Sequence, residues 1–197
     1  MSGEIMISRK QLRDKTKELA KEEKQVYDDE GRVVITLTVL DDRGFLSPYG
    51  EDNDILISSE TAAFLEHSTK AIHHKKDLTL QFYSNVIDDR EKVLYEKGIR
   101  NYYENSFLAH QRELKHNLWL TLLLTLIGIV YFGIIVAISL FFDYDIILEM
   151  LSIAGWVFLW EAVDIFFFQR PKIKHAQYRS YALMKAKINY AELNKKS

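Results

Sequence analysis

Two carboxylates lie inside a long apolar stretch in the second half of the chain. Glu161 and Asp164 are three positions apart, so a helix would carry both on one face. A carboxylate in hydrocarbon costs several kcal/mol unless it is paired, protonated or hydrated. This pattern predicts a ring of carboxylates that lines a cation path or proton relay in an oligomer, because one helix pair cannot enclose a pore. The alternative is an acid pair near a membrane edge, bonded to Arg170, Lys172 or neighbouring hydroxyl groups.

A second group of acids lies between the two most apolar stretches. Asp143 and Asp145 occupy a very short turn, and Glu149 follows about one helical turn later. Together they form a candidate outer mouth that attracts cations. The alternative is that these acids simply end a helical hairpin in water.

A basic run follows the second apolar stretch. Arg170, Lys172 and Lys174 begin directly where this stretch ends, and further lysines and arginines continue to the C-terminus. Such a flank favours binding to anionic lipid headgroups, worth about 1 kcal/mol per basic residue. Because the run begins at the membrane, we expect lipid rather than nucleic acid as its partner.

The sequence gives little support for catalytic or metal-binding chemistry. The chain has no cysteine, which removes disulfides, thiolate metal sites and cysteine nucleophiles. Gly-rich phosphate loops, nucleophile elbows and H-E-x-x-H motifs are absent from the sequence. His73 and His74 are adjacent, so a helix would point them about 100° apart, and a solvated basic cap is favoured over a metal site. We therefore expect a protein without a cofactor or enzymatic activity.

Two apolar segments dominate the chain, and they predict a transmembrane hairpin over residues 118–168. Leu118 to Phe142 has no charged residue, and Ile146 to Phe168 is about as long. At about 1.5 Å per residue, each is long enough for the roughly 30 Å core of a bilayer.

The charges on either side of this hairpin predict its orientation. Arg112 and Lys115 precede the first pass and the basic run follows the second, whereas Asp143 to Asp145 has no lysine or arginine. The positive-inside rule then puts both termini in the cytoplasm. The N-terminus lacks the apolar core of a signal peptide, so the first pass is expected to act as the internal targeting signal. A bacterial inner membrane is the simplest setting.

Residues 1–86 predict a small cytosolic α/β domain. Their order of elements is β-α-β-β-α-β, as in ferredoxin-like folds, and the chain as a whole is an α+β membrane protein. The predicted elements are strands at Glu4 to Ile7, Val33 to Leu40, Ile55 to Ile57 and Leu78 to Tyr83, and helices from Ser8 to about Tyr27 and from Ser58 or Ser59 to about Ile72. The first strand is weak, and a sheet of only three strands with the same helices is the alternative.

Long helices are predicted to join this domain to the membrane. Asp88 and Glu91 form a capping-box pattern that opens an amphipathic connecting helix over residues 87–117. No breaker separates it from the first pass, so one helix is expected from Asp88 to Phe142. The basic tail, residues 169–197, is predicted to be helical over Lys172 to Leu193 and to pair with the connecting helix.

The order of these parts is similar to the layout of mitochondrial calcium uniporter pore subunits. Those subunits carry W-D-x-x-E-P at the start of the second pass. Here Trp160, Glu161 and Asp164 lie toward its cytoplasmic end, and no proline directly follows Asp164. The likeness is therefore one of layout, and no family is assigned.

These patterns lead to two hypotheses of different classes. The first is a self-associating two-pass membrane protein, whose cytosolic domain senses or binds a protein or small molecule and whose hairpin is an effector or conducts ions. The second is a membrane-anchored scaffold or accessory subunit of a larger complex, without transport activity.

Overall fold

The computed structural model describes residues 26–50, 54–70, 72, 76–141 and 145–193, with only the backbone described for 145–147. Within these residues the protein is a mixed α and β structure. It has a small three-stranded parallel sheet and long helices, two of which are apolar enough to span a membrane.

The sheet contains strands β1 (Val33–Thr38), β2 (Leu78–Tyr83) and β3 (Lys187–Ala191), in that spatial order. Both pairings are parallel, and β2 lies in the centre. β1 and β2 are dense in β-branched and large apolar residues, which suits a buried parallel sheet. β3 comes from the far end of the chain, so residues 84–186 form the connection between two neighbouring strands.

Helix α1 (Ser59–Thr69) connects β1 to β2. Ser58 caps its N-terminus by accepting a hydrogen bond from the backbone N–H of Thr61, as a serine N-cap is expected to do. Before this helix, Leu46 and Ile57 form an isolated antiparallel bridge, where a short strand was predicted at Ile55 to Ile57.

Helix α2 (Asp89–Ser139) is 51 residues long and runs without interruption from the sheet domain through the first apolar segment. At about 1.5 Å per residue it extends for about 75 Å. Asp88 and Glu91 form the predicted capping box. The continuous helix predicted from Asp88 is therefore confirmed, and it ends at Ser139.

The second apolar segment begins with α3 (Asp145–Asp164), passes through a π-helical turn (Ile165–Gln169) and continues as α4 (Arg170–Met184). Pro171 lies in the first turn of α4, where its missing N–H is tolerated. The wide turn just before it keeps the helix continuous past a proline, which otherwise clashes with the carbonyl four residues earlier.

One hydrophobic core joins the sheet, α1, α2 and the end of α4. Its fully buried members include Leu80 and Phe82 of β2 and Tyr103 of α2. Leu183 and Ala186, which precede β3, belong to the same core. The chain segments before and after the hairpin therefore form a single domain together.

Two predictions about this domain need correction. The described strands are all parallel, whereas a ferredoxin-like sheet is antiparallel. The tail is not helical to Leu193, because the helix ends at Met184 and Lys187–Ala191 forms β3. The open edge of β2 offers backbone groups to pair with, and this pairing overrides the helical pattern of the tail. The predicted strand at Glu4 to Ile7 and nearly all of the helix from Ser8 lie outside the described residues.

The two long apolar helices are mostly exposed on the surface of the protein. Each contains a window of 18 residues that is apolar enough to cross a membrane, and very little of either window is buried inside the protein. A helix that is apolar on all sides and exposed to its surroundings is typical of a membrane span. By length and composition, the two helices are therefore candidate membrane spans.

Candidate functional site

The acid pair lies near the end of α3, on surface that the protein does not cover. Glu161 and Asp164 are both exposed, whereas the neighbouring residues Ala162 and Ile165 are buried. The helix thus turns a small apolar face inward and leaves the two carboxylates outside the helix pair. A single hairpin provides no enclosed path beside them.

Within the described part of the chain, Asp164 has one hydrogen-bond partner. The side-chain amide of Gln169 donates to its carboxylate at 2.9 Å, across the π-helical turn. Among the described residues, no ion pair joins Glu161 or Asp164 to Arg170 or Lys172. The predicted bonds from the acid pair to Arg170 or Lys172 are therefore not found among the described residues. The amide of Gln169 is the partner of Asp164 there instead.

The predicted outer mouth is described only in part. Asp143 lies outside the described residues, Asp145 is the first residue of α3, and Glu149 is exposed one turn further on. That these three acids form an outer mouth for cations therefore stays a prediction.

The predicted basic flank separates into two surfaces. Arg170 and Lys174 line an open cleft of about 570 Å³ between α2 and the start of α4, while Lys172 is exposed elsewhere on the helix. We call this the basic cleft, and its lining residues are Leu114, Phe166, Arg170, Pro171, Lys174, His175 and Tyr178.

Aromatic rings support the two cations of the basic cleft. The guanidinium of Arg170 lies 5.4 Å from the ring centre of Phe166, and the ammonium of Lys174 lies 5.9 Å from that of Tyr178. Neither ring was among the residues predicted for the basic flank. The sequence pattern that could have identified them is the interval of four residues between Phe166, Arg170, Lys174 and Tyr178. This interval puts all four side chains on one helix face.

The two apolar helices pack through small residues and rings. At Gly128 an added Cβ would lie 2.6 Å from Leu159, and at Gly155 it would lie 2.8 Å from Tyr131. Phe132 meets Trp156 edge-to-face, with 5.6 Å between ring centres. The glycines allow close approach, as is common between membrane helices.

Below the apolar segments, α4 pairs with α2 as predicted. The hydroxyl groups of Ser106 and Ser180 lie 3.0 Å apart, and the rings of Phe107 and Tyr181 are 5.8 Å apart. These contacts hold α4 against α2 on the sheet-domain side of the apolar segments.

The sheet domain has a polar cavity of about 440 Å³ beside the ends of β2 and β3. Its lining residues are Ser84, Asn85, Ile87, Lys92, Tyr190, Ala191, Glu192 and Leu193. Burial raises the pKa of Tyr190 to about 12, with a smaller contribution from Glu96. The hydroxyl group of Tyr190 donates to the backbone carbonyl of Lys92 at 3.1 Å, which joins β3 to the first turns of α2.

A metal-binding group is not found in the described part of the chain, where no three His, Asp or Glu side chains cluster suitably. His73 and His74 lie outside that part.

The fold and its helices define a mixed α/β protein with two helices long and apolar enough to cross a membrane. No known protein family, curated protein or solved structure matches this chain. Its function must therefore be inferred from its own residues.

Proposed function

We propose that the protein is a self-associating two-pass membrane protein whose assembled hairpins pass cations. Its sheet domain binds a cytosolic protein or small molecule and controls this membrane activity. No enzymatic step is part of the proposal.

The exposed acid pair carries this proposal. Glu161 and Asp164 lie on uncovered surface of an apolar helix, beside the buried Ala162. Carboxylates exposed to lipid would be costly. If the hairpins of several copies packed around these carboxylates, the carboxylates would leave the lipid and gain water and a cation as partners.

The proposed orientation has both termini in the cytoplasm of a cell with an inner membrane. It is supported by the basic residues on both flanks, including Arg112 and Arg170, and by the turn without lysine or arginine. It is also supported by the shared sheet, since β1 and β2 precede the hairpin and β3 follows it. Segments that form one sheet lie on one side of a membrane.

The test is cation flux into proteoliposomes that contain the purified full-length chain. The double variant Glu161→Gln/Asp164→Asn keeps the shape of both side chains and removes their charge. We expect flux to fall by about tenfold or more, because amides bind cations poorly in a desolvated path. Oligomer mass, measured in the same detergent, is expected to stay unchanged.

The matched control is Glu104→Gln/Glu113→Gln. It removes the same charge from two exposed residues of α2 outside the apolar segments, and we expect wild-type flux. Equal flux in all three proteins would refute a conducting role for the acid pair.

The second candidate is a membrane-anchored scaffold or accessory subunit. It is favoured by the bond from Gln169 to Asp164, which gives one carboxylate a partner without a second copy. A well-folded wild-type protein that passes no cations would support it. In that case, replacing both passes with unrelated anchors of equal length should preserve binding to the partner.

A further inference from the structure

We propose that the basic cleft binds the phosphate group of an anionic lipid. The proposal rests on the proposed membrane placement of the apolar helices, but not on the passage of cations. It divides the basic flank into a specific site and a general surface, because Lys172 lies outside the cleft.

The helix pattern builds the site. Phe166, Arg170, Lys174 and Tyr178 follow one another at intervals of four residues and therefore share a face. Leu114 of α2 contributes from the neighbouring helix. A cleft of about 570 Å³ has room for a phosphate with its glycerol.

Arg170 and Lys174 make the cleft positive. None of its lining residues is acidic. Among the ion pairs of the described residues, none involves Arg170 or Lys174. Arg170 and Lys174 contact the ring faces of Phe166 and Tyr178, and this leaves the N–H groups of the two cations available. A guanidinium can bind two phosphate oxygens at once. The cleft therefore suits a phosphate better than a lone carboxylate.

The position of the cleft favours a lipid as the source of the phosphate. It opens where the apolar part of the second span ends, directly after the exposed side chains of Phe167 and Phe168. A lipid whose phosphate lies in the cleft can place its acyl chains along this apolar surface. Free phosphate would gain nothing from that contact.

The experiment measures binding of phosphatidylglycerol and phosphatidylcholine to the full-length chain in neutral detergent, by native mass spectrometry. We expect phosphatidylglycerol to bind more tightly. Lys174→Gln should weaken this binding by about fivefold, the effect of one basic residue near an anionic headgroup. Lys172→Gln, the matched control, removes the same charge from an exposed lysine two residues away and should change binding less than about twofold.

Two results would overturn the proposal. Equal weakening by both substitutions would mean diffuse attraction to the whole basic flank. Displacement of the lipid by glycerol phosphate at the lipid's own concentration would mean that the cleft serves a soluble phosphate. Because lipid binding is measured without flux, loss of the proposed cation passage and loss of this site can be told apart.

Discussion

The sheet domain and the apolar hairpin use the same residue types in opposite ways. In the domain, Phe82 is fully buried, with its ring 5.3 Å from that of Tyr190. In the hairpin, Phe141 is 80% exposed and Trp160 is 68% exposed. Large apolar side chains thus fill the interior of one region and cover the exterior of the other.

The difference agrees with the proposed placement of the hairpin in lipid and of the sheet domain in water. The domain gains stability by removing large side chains from water. Lipid is as apolar as leucine, so in the proposed membrane placement the hairpin gains little that way and depends on close contact at small residues such as Gly155. The two regions should therefore fail in response to opposite substitutions, since large-to-small changes harm the domain and small-to-large changes harm the hairpin.

The largest expected effect is the loss of a large buried side chain in the domain. Phe82→Ala should lower the stability of the sheet by about 3–5 kcal/mol, because it removes a buried ring and leaves a cavity. Hydrogen exchange of the β2 amides in the full-length chain in micelles measures this. Phe141→Ala makes the same chemical change at an exposed site and should leave those amides unaffected. Similar effects from both would contradict the comparison.

A smaller effect is expected when a side chain is added between the apolar helices. Gly155→Val should destabilise the hairpin by about 1–3 kcal/mol, because its Cβ would meet the ring of Tyr131. Gly133→Val is the control, since nothing lies within 4 Å of the Cβ position at Gly133.

Tryptophan fluorescence during unfolding in SDS measures this change selectively. All three tryptophans lie in the two apolar segments, at Trp119, Trp156 and Trp160. If Gly133→Val were as harmful as Gly155→Val, the helices would not depend on close approach at Gly155.

Local patterns predicted much of the fold. The capping box at Asp88 and the strands near Val33 and Leu78 follow from short-range preferences, and the structure has all three. The lengths of the apolar helices follow from composition in the same way. Such features need no knowledge of distant partners, which is why the sequence alone predicts them.

Long-range pairing could not be predicted. Ile188 follows a helical spacing along the tail, yet it lies in a strand because β2 offers an open edge more than a hundred residues away in sequence. For the same reason the exposure of Glu161 was not predictable, since helical periodicity gives a shared face but not what covers it. The basic cleft also needed Leu114 of another helix.

The smallest expected effect concerns another contact between residues distant in sequence. It predicts that the stability of the sheet domain depends on pH through this contact, whereas the hairpin has no such contact among its described residues. Thr79 of β2 is buried and donates a hydrogen bond to the carboxylate of Asp28 at 2.6 Å. This bond, helped by the backbone N–H groups of Arg32 and Glu30, lowers the pKa of Asp28. A carboxyl whose pKa is lower in the folded state adds stability above its unfolded pKa of about 3.9, and this stability is lost as the pH falls through the folded pKa.

Thr79→Val should remove this donor and bring the pKa of Asp28 back toward its ordinary value. The variant is then less stable than wild type near neutral pH, and it loses less stability between about pH 5 and about pH 3. Urea denaturation followed by circular dichroism at both pH values measures the difference. In the hairpin, Thr125 donates only to the backbone carbonyl of Thr121, so Thr125→Val should show the same dependence on pH as wild type. A wild-type acid response in Thr79→Val would mean that the bond to Asp28 does not link the sheet domain to pH.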